Sequence, residues 1–417
     1  MSAEPLIGGR KRLFLHVGLH KTGTTFLQAT FRANRHQLAD QGVHFPGGTE
    51  EQPVQRLAIQ DLLGVRPVGA RDRRTAGHWQ ALVDLIEAST APTVLVSEET
   101  LGPAAPRHAR RAVGSFPGRE VHVLVTARDL GRVLPSFWQE TLKNDNTWTW
   151  SEFVASVRDP ASTRTTAGLG YWRRQDLPVL LGTWAAVVPP ERLHLVVVPP
   201  SGSPPTLLLD RFATVIGFDP ARLTEPAPRI NESLTVAGAE VVRRLSAELG
   251  GQLNQRQYDA VVKRVVTRRL ADRDTSPKLV LPESDYEWAA AEARRVVEAV
   301  RSMRLDVVGD LEELIPVAPG AERRPDDASP QELVDAAILA LSGLAERYAQ
   351  LWWARHEDDE PTLTTPSRRV LAASTMRGLV FRGRRKAARL AEHSRLTAPA
   401  VSAYVRVRHT YRRRAHR

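Results

Sequence analysis

The sequence predicts an α/β protein, a parallel sheet flanked by helices, with a helical, basic C-terminal extension. Two observations carry that prediction. Apolar runs rich in Val and Leu recur between residues 12 and 200 with little polar alternation, as strands buried on both faces require. Segments of helical period lie between them, the order of βα units wound around parallel strands.

Taken in order, RLFLHVG (12–18) is the first strand and GVHFPG (42–47) a short second one. PTVLVSEE (92–99), EVHVLVTAR (120–128) and RLHLVVVPP (192–200) are the stronger strands. Helical period marks residues 24–42 and 78–90, and again 206–220, where Gly217 and Pro220 supply a stop. Residues 231–249 form a further amphipathic helix, and VVGDLEELIP (307–316) closes the α/β region. The Pro- and Asp-rich stretch 317–330 reads as a linker. The extension is 331–417, opening with one long helix over 331–360. The α/β domain is therefore expected at 11–316.

Composition narrows the function classes. The chain has 417 residues and no cysteine, which removes disulfides, thiolate metal sites and a cysteine nucleophile. The net charge of +11 invites a nucleic-acid reading, but its distribution argues against one. Residues 367–417 hold fifteen Lys/Arg against one Glu, an excess of +14 that leaves about −3 for residues 1–366. The basicity is a tail, suited to contact with an anionic membrane, glycan or acidic partner, or simply to a basic helix docked on the body or partly disordered. No apolar run reaches the length of a membrane span, and the polar start lacks the pattern of a secretory signal; the expectation is cytoplasmic. Only six of the 58 basic residues are lysines, an Arg bias that suggests a GC-rich, bacterial coding sequence. A lysine in a glycine-rich loop is then a pointed choice.

That loop is GLHKTGTTFLQ, residues 18–28, where the first strand gives way to a helix. Strand, tight loop and helix start together aim backbone N–H groups and the positive helix end at an anion. Gly18 and Gly23 permit close approach, and Thr22, Thr24 and Thr25 add hydroxyls. The spacing is P-loop-like, yet Thr24 stands where a nucleoside-triphosphate loop carries its lysine, and Lys21 lies three residues earlier.

With that lysine the stretch resembles the 5′-phosphosulfate loop of the sulfotransferases, whose pattern is roughly G-x-x-K-[ST]-G-T-T-x-L-Q. These enzymes move a sulfuryl group from 3′-phosphoadenosine 5′-phosphosulfate (PAPS) to a hydroxyl or amine. The resemblance implies that Lys21 contacts the bridging oxygen and the leaving phosphate, and that Thr22, Gly23, Thr24 and Thr25 hold the 5′-phosphate. It implies no metal. It spans about residues 11–316 and says nothing specific about the rest.

A donor with a 3′-phosphate needs a second anion site. Arg128 closes the strand 120–128, and Ser136 follows eight residues later inside a helical segment, the type, spacing and context of the family's 3′-phosphate clasp. The rival reading is a structural Arg paired with Asp129. For the base, the family places a histidine or a glutamate at the end of the strand that corresponds to 92–99. Glu98 is the candidate by that resemblance, with Glu99 behind it and His20 and His44 as pocket-lining alternatives. Ser97 as a helix N-cap, with acids in the first turn, is the structural alternative.

The family's late Arg-Lys-Gly element is missing. RINESLT (229–235) could replace it through Arg229, Asn231 or Ser233, two of which could instead cap the next helix. Trp138, Trp148 and Trp150 are candidates for an acceptor cleft or for the core. The implied acceptor is a carbohydrate, a lipid or a secondary metabolite, and nucleic acid is not expected. Two rivals remain at this stage: an ATP-dependent kinase, for which VSEE resembles a Walker B strand end, and a non-catalytic nucleotide-binding scaffold with a basic interaction tail.

Overall fold

The computed structural model describes residues 10–47, 54–65, 76–161, 165–226, 233–318 and 323–356. Six strands form one sheet: β1 Arg12–His16, β2 Val43–His44, β3 Thr93–Ser97, β4 Glu120–Ala127, β5 Leu193–Val197 and β6 Asp306–Val308. Every neighbouring pair is parallel, and the order is β2-β3-β1-β4-β5-β6. The α/β architecture with a parallel, helix-flanked sheet is thus the observed one. The five apolar runs are strands, and the stretch 307–316 adds the β6 edge and a 3-10 turn, Leu311–Leu314.

Burial explains why these runs chose the sheet. Leu13, Leu15, Val94, Val96, Val123, Val125, Leu195 and Val197 pack on one face. Phe14, Leu95, Leu124 and Val196, their neighbours in sequence, pack on the other. A period of two with both faces covered leaves no room for polar alternation. A third core, made by helices alone, gathers Trp138, Trp150, Phe153, Tyr171, Leu234 and Tyr258.

Helices fill the connections, several of them at positions that sequence reasoning did not mark: Trp150–Arg158, Ala167–Gln175, Leu177–Ala185 and Glu283–Ser302. The expected helix 24–42 divides at Asn34 into Thr24–Ala33 and Arg35–Ala39. Residues 231–249 yield a helix only over Val236–Leu249. Its N-cap is Thr235, whose side chain accepts from the Gly238 N–H. Arg229 and Asn231 lie outside the described residues, as does the basic tail 367–417.

The long helix runs Pro330–His356, and Ala336 and Ala340 are buried in the helical core. The chain divides into compact units within that helix, after Arg347. In the second unit the described residues continue the helix, with Tyr348, Leu351, Trp352 and Trp353 exposed. Among the described residues no helix is long and apolar enough to cross a membrane.

What this topology does for a site follows from the strand order. From β1 the chain turns to one side, towards β2 and β3; from β4 it turns to the other, towards β5 and β6. The carboxyl ends of β1 and β4 therefore flank a topological switch point, where open α/β sheets hold ligands. His16 pins the neighbourhood from inside: its Nδ1 lies 2.8 Å from Ser97 Oγ on β3 and its Nε2 3.1 Å from Thr126 Oγ1 on β4.

Candidate active site

Two adjoining cavities open over those strand ends, of about 780 and 880 Å³. They share His20, Lys21, Thr25, Glu99, Glu140 and Lys263. The smaller is the side of the two anion elements. Lys21, Gly23, Thr24, Thr25, Arg128 and Ser136 all line it. Residues 107 positions apart meet here, the Arg128 guanidinium lying 3.4 Å from the Lys21 carbonyl oxygen.

The loop that carries Lys21 is wound tightly. Lys21 has φ 64° and Gly23 φ 85°, and Gly23 caps the helix Thr24–Ala33. At Gly23 the left-handed φ favours glycine, and a Cβ would also sit 2.6 Å from Leu208 Cδ2, the movable end of a leucine. The same winding turns Thr22 inwards. It is fully buried, and its hydroxyl is engaged by the Leu19 carbonyl and Thr126 Oγ1, each at 2.6 Å. Of the three loop threonines, Thr24 and Thr25 line the cleft, and Thr22 faces the interior with its side chain. Only its backbone remains on offer to an anion.

Arg128 is half-buried, and burial, with Arg132 nearby, lowers its pKa to about 10. The carboxylates around it are committed elsewhere. Asp129 caps the helix Leu130–Leu142 through the Arg132 N–H and pairs with the Arg132 side chain. Glu313 holds Arg211 with two contacts, at 2.5 and 2.8 Å. The structural pairing of Arg128 with Asp129 is therefore not formed. Arg128 Nε is buried without a hydrogen-bond partner among the described residues, a donor they leave unmet. Ser233 and an apolar strip of Leu279, Val280, Leu281, Ile315 and Val317 complete this cavity.

The carboxylates lie on the larger side. Glu98 lines the 880 Å³ chamber, while Glu99 reaches both. Burial and the neighbouring Glu99 raise the Glu98 pKa; hydrogen bonds from Thr100 (2.9 Å from its hydroxyl) oppose that rise. Glu98, not Ser97, caps the short 3-10 turn Glu99–Leu101, and Ser97 spends its hydroxyl on His16. Gln28 donates to Glu99 Oε2 at 2.9 Å and orients it. His20 sits at the junction; burial, against the pull of Glu99, depresses it to about 4, so at neutral pH it is an uncharged imidazole. His44 is not in the cleft and bonds Ser89 instead.

Trp148 lines the chamber, but Trp138 and Trp150 are core residues. Trp138 Nε1 donates to the Trp148 carbonyl at 2.9 Å and Trp150 Nε1 to Asp285 at 2.8 Å. Among the described residues no group of three or more His, Asp or Glu side chains is placed to hold a metal ion.

Sequence reasoning missed Glu140 and Lys263. Glu140 Oε2 takes a 2.7 Å hydrogen bond from Lys21 Nζ, and Lys263 Nζ lies 3.4 Å from its other oxygen. Burial alone would raise this carboxyl; Lys21 foremost, then Lys263 and Lys143, overcome it and hold the pKa at about 2. Lys263 belongs to a π-helix, Asp259–Val266, a widening of the helical turn that often marks working residues. The rarity of lysine in this chain was the available signal, since three of the six surround Glu140.

No protein-family model matches the chain, and no curated protein does. Among solved structures the chain is similar to the sulfotransferase from Alicyclobacillus acidocaldarius, with 15% identity and a TM-score of 0.36. The likeness covers 62% of this chain and 97% of that one. At that level it assigns a role to no residue in the cleft.

Proposed function

We propose that the protein is a sulfotransferase that takes a sulfuryl group from 3′-phosphoadenosine 5′-phosphosulfate. The observation that carries this reading is the convergence of the Lys21 loop and an Arg128 without a carboxylate partner on one cavity. Two anion positions on one cavity that also presents an apolar strip suit a nucleotide phosphorylated at both ends. Loop amides with Thr24 and Thr25 take the 5′-phosphate, Arg128 and Ser136 take the 3′-phosphate, and Leu279–Leu281 with Ile315 and Val317 face the base. A guanidinium grips phosphate through charge-assisted, paired hydrogen bonds.

The acceptor enters from the Glu98 side. Its oxygen or nitrogen forms a bond to sulfur as the bond from sulfur to the bridging phosphate oxygen breaks. The proton passes to the Glu98 carboxylate, and the electron pair leaves with the phosphate, whose growing charge meets the Lys21 ammonium. A raised Glu98 pKa makes its carboxylate a stronger base. Lys21 is held ready by Glu140 and exchanges that carboxylate for the phosphate. The co-substrate supplies the activated sulfuryl group, so the step consumes no triphosphate.

The test is a thermal shift followed by a transfer assay. 3′-Phosphoadenosine 5′-phosphate without metal should stabilise the protein, whereas ATP with magnesium should not; the reverse result overturns the proposal in favour of a kinase. With labelled donor and a pool of acceptors, Glu98→Gln should lower transfer by about 10²–10⁴-fold while leaving nucleotide stabilisation intact. Transfer that is unchanged removes Glu98 from the chemistry.

A further inference from the structure

The chamber of about 880 Å³ beside the donor cavity is lined by six cationic side chains and only three acidic ones. Glu140 is already balanced by Lys21 and Lys263, and Glu98 and Glu99 stand at the reacting end. The remaining positive charge includes Arg56, which acts on Glu98, and Arg174, which acts on His20. Thr25, Gln28 and Arg32 follow one another at helical spacing on Thr24–Ala33, so a single stripe runs from the anion loop into the chamber. Arg56 comes in from the helix Val54–Leu63 and Arg174 from Ala167–Gln175. Among the described residues, none of Arg32, Arg56 and Arg174 has a carboxylate within 4 Å, although each lies in a chamber that holds glutamates. Arg174 contributes one hydrogen bond, to the Gly170 carbonyl at 2.9 Å.

We propose that this chamber selects an acceptor carrying a fixed anionic group, a phosphate, sulfate or carboxylate, held by Arg32, Arg56 and Arg174. Seven residues at a rise of 1.5 Å separate Thr25 from Arg32, which sets Arg32 about 10 Å along the helix from the anion loop. Neutral hydrogen-bonding groups, Thr141, Asn144 and Asn146, also line the chamber, together with Trp148. A neutral acceptor would give these three guanidinium groups, Arg174 half-buried and Arg32 and Arg56 more open to solvent, no anion to pair with.

The inference deepens the sulfotransferase reading and rests on it for the position of the reacting atom alone. Its test uses calorimetric titration of the full chain with glucose 6-phosphate, glucuronic acid and glucose, each with and without saturating 3′-phosphoadenosine 5′-phosphate. The phosphate and carboxylate probes distinguish which anion is preferred. Either anionic probe should bind at least tenfold more tightly than glucose with the nucleotide present, and added salt should weaken that binding. Arg32→Gln with Arg56→Gln should lower the preference at least tenfold and leave nucleotide affinity within twofold. Arg128→Gln should do the opposite, which separates the chamber from the donor cavity. Equal binding of glucose and the anionic probes, no binding of either anionic probe, or a preference that survives the double substitution would overturn the inference. Loss of nucleotide binding in the unmodified protein would instead count against the donor reading.

Discussion

Replacing Glu140 with Gln should make the protein less stable and its grip on the nucleotide tighter. The carboxyl is held near pKa 2, against about 4.5 when exposed, by Lys21, Lys263 and Lys143 working against burial. A depressed carboxylate pKa stabilises the fold above the unfolded value, so the contribution is complete above about pH 4.5 and disappears as pH falls towards 2. At about 1.4 kcal/mol per pK unit the full shift corresponds to roughly 3 kcal/mol. Both partners are nonetheless partly exposed, with side chains 26% and 32% accessible, and solvent screening reduces this to about 1–2 kcal/mol. The Tm should therefore fall by about 1–3 °C at pH 7. The difference from the unmodified protein should narrow at pH 4 and below. In the same variant Lys21 loses its internal counter-ion, and a repelling charge leaves the phosphate site. Two like charges about 5 Å apart at an effective dielectric constant near 20 repel by at most ~3 kcal/mol, so a three- to tenfold gain in affinity for 3′-phosphoadenosine 5′-phosphate is a moderate expectation. Differential scanning fluorimetry and calorimetric titration read the two effects. A variant as stable as the parent at pH 7, or one that binds the nucleotide no more tightly, refutes the view of Glu140 as a stand-in anion for Lys21.

Other consequences follow from the same geometry. Thr22→Val strips two buried hydrogen bonds and should cost about 1–3 kcal/mol in urea unfolding, whereas Thr25→Val, at the cleft surface, should leave stability alone and weaken nucleotide binding. Gly23→Ala forces a side chain into a left-handed turn against Leu208; nucleotide stabilisation should be lost, and a normal thermal shift would show that the loop has room to spare. His16 is fully buried, and that burial holds its pKa near 4 against 6.5 unfolded. Stability should then decline as pH falls below 6.5, by roughly 2–3 kcal/mol between pH 7.5 and 4.5, and a His16→Gln variant should show a flatter profile over that window.

Much of the sheet was legible because its strands are uniformly apolar, and β1, β3, β4 and β5 each carry four or more buried side chains in succession. The helix Glu283–Ser302 was not, because its buried stripe is mostly alanine: Ala289, Ala290 and Ala293 before Val297 and Val300. Such small side chains give a weak periodic signal amid so many charges. In the cleft, the neighbourhood of Lys21 and Arg128 was foreseeable from two strand-end motifs. The inward turn of Thr22 was not, since a loop's winding decides which of three adjacent hydroxyls faces outward. Trp138 and Trp150 were ambiguous for a similar reason, an indole serving equally well in a core or a cleft, and their N–H groups found partners inside. Glu140 and Lys263 stand 119 and 242 positions from Lys21 in the chain, beyond any local pattern.

The central claim is that two separate positions grip one doubly phosphorylated nucleotide, and a comparison of affinities reaches it most directly. Titrate the protein and its Arg128→Gln variant with 3′-phosphoadenosine 5′-phosphate and with adenosine 5′-monophosphate. The account predicts at least a thirtyfold preference for the bisphosphate in the parent, collapsing to within a few-fold in the variant, while the monophosphate binds both proteins alike. Equal affinity of the parent for the two nucleotides, or a preference that persists without Arg128, would contradict it.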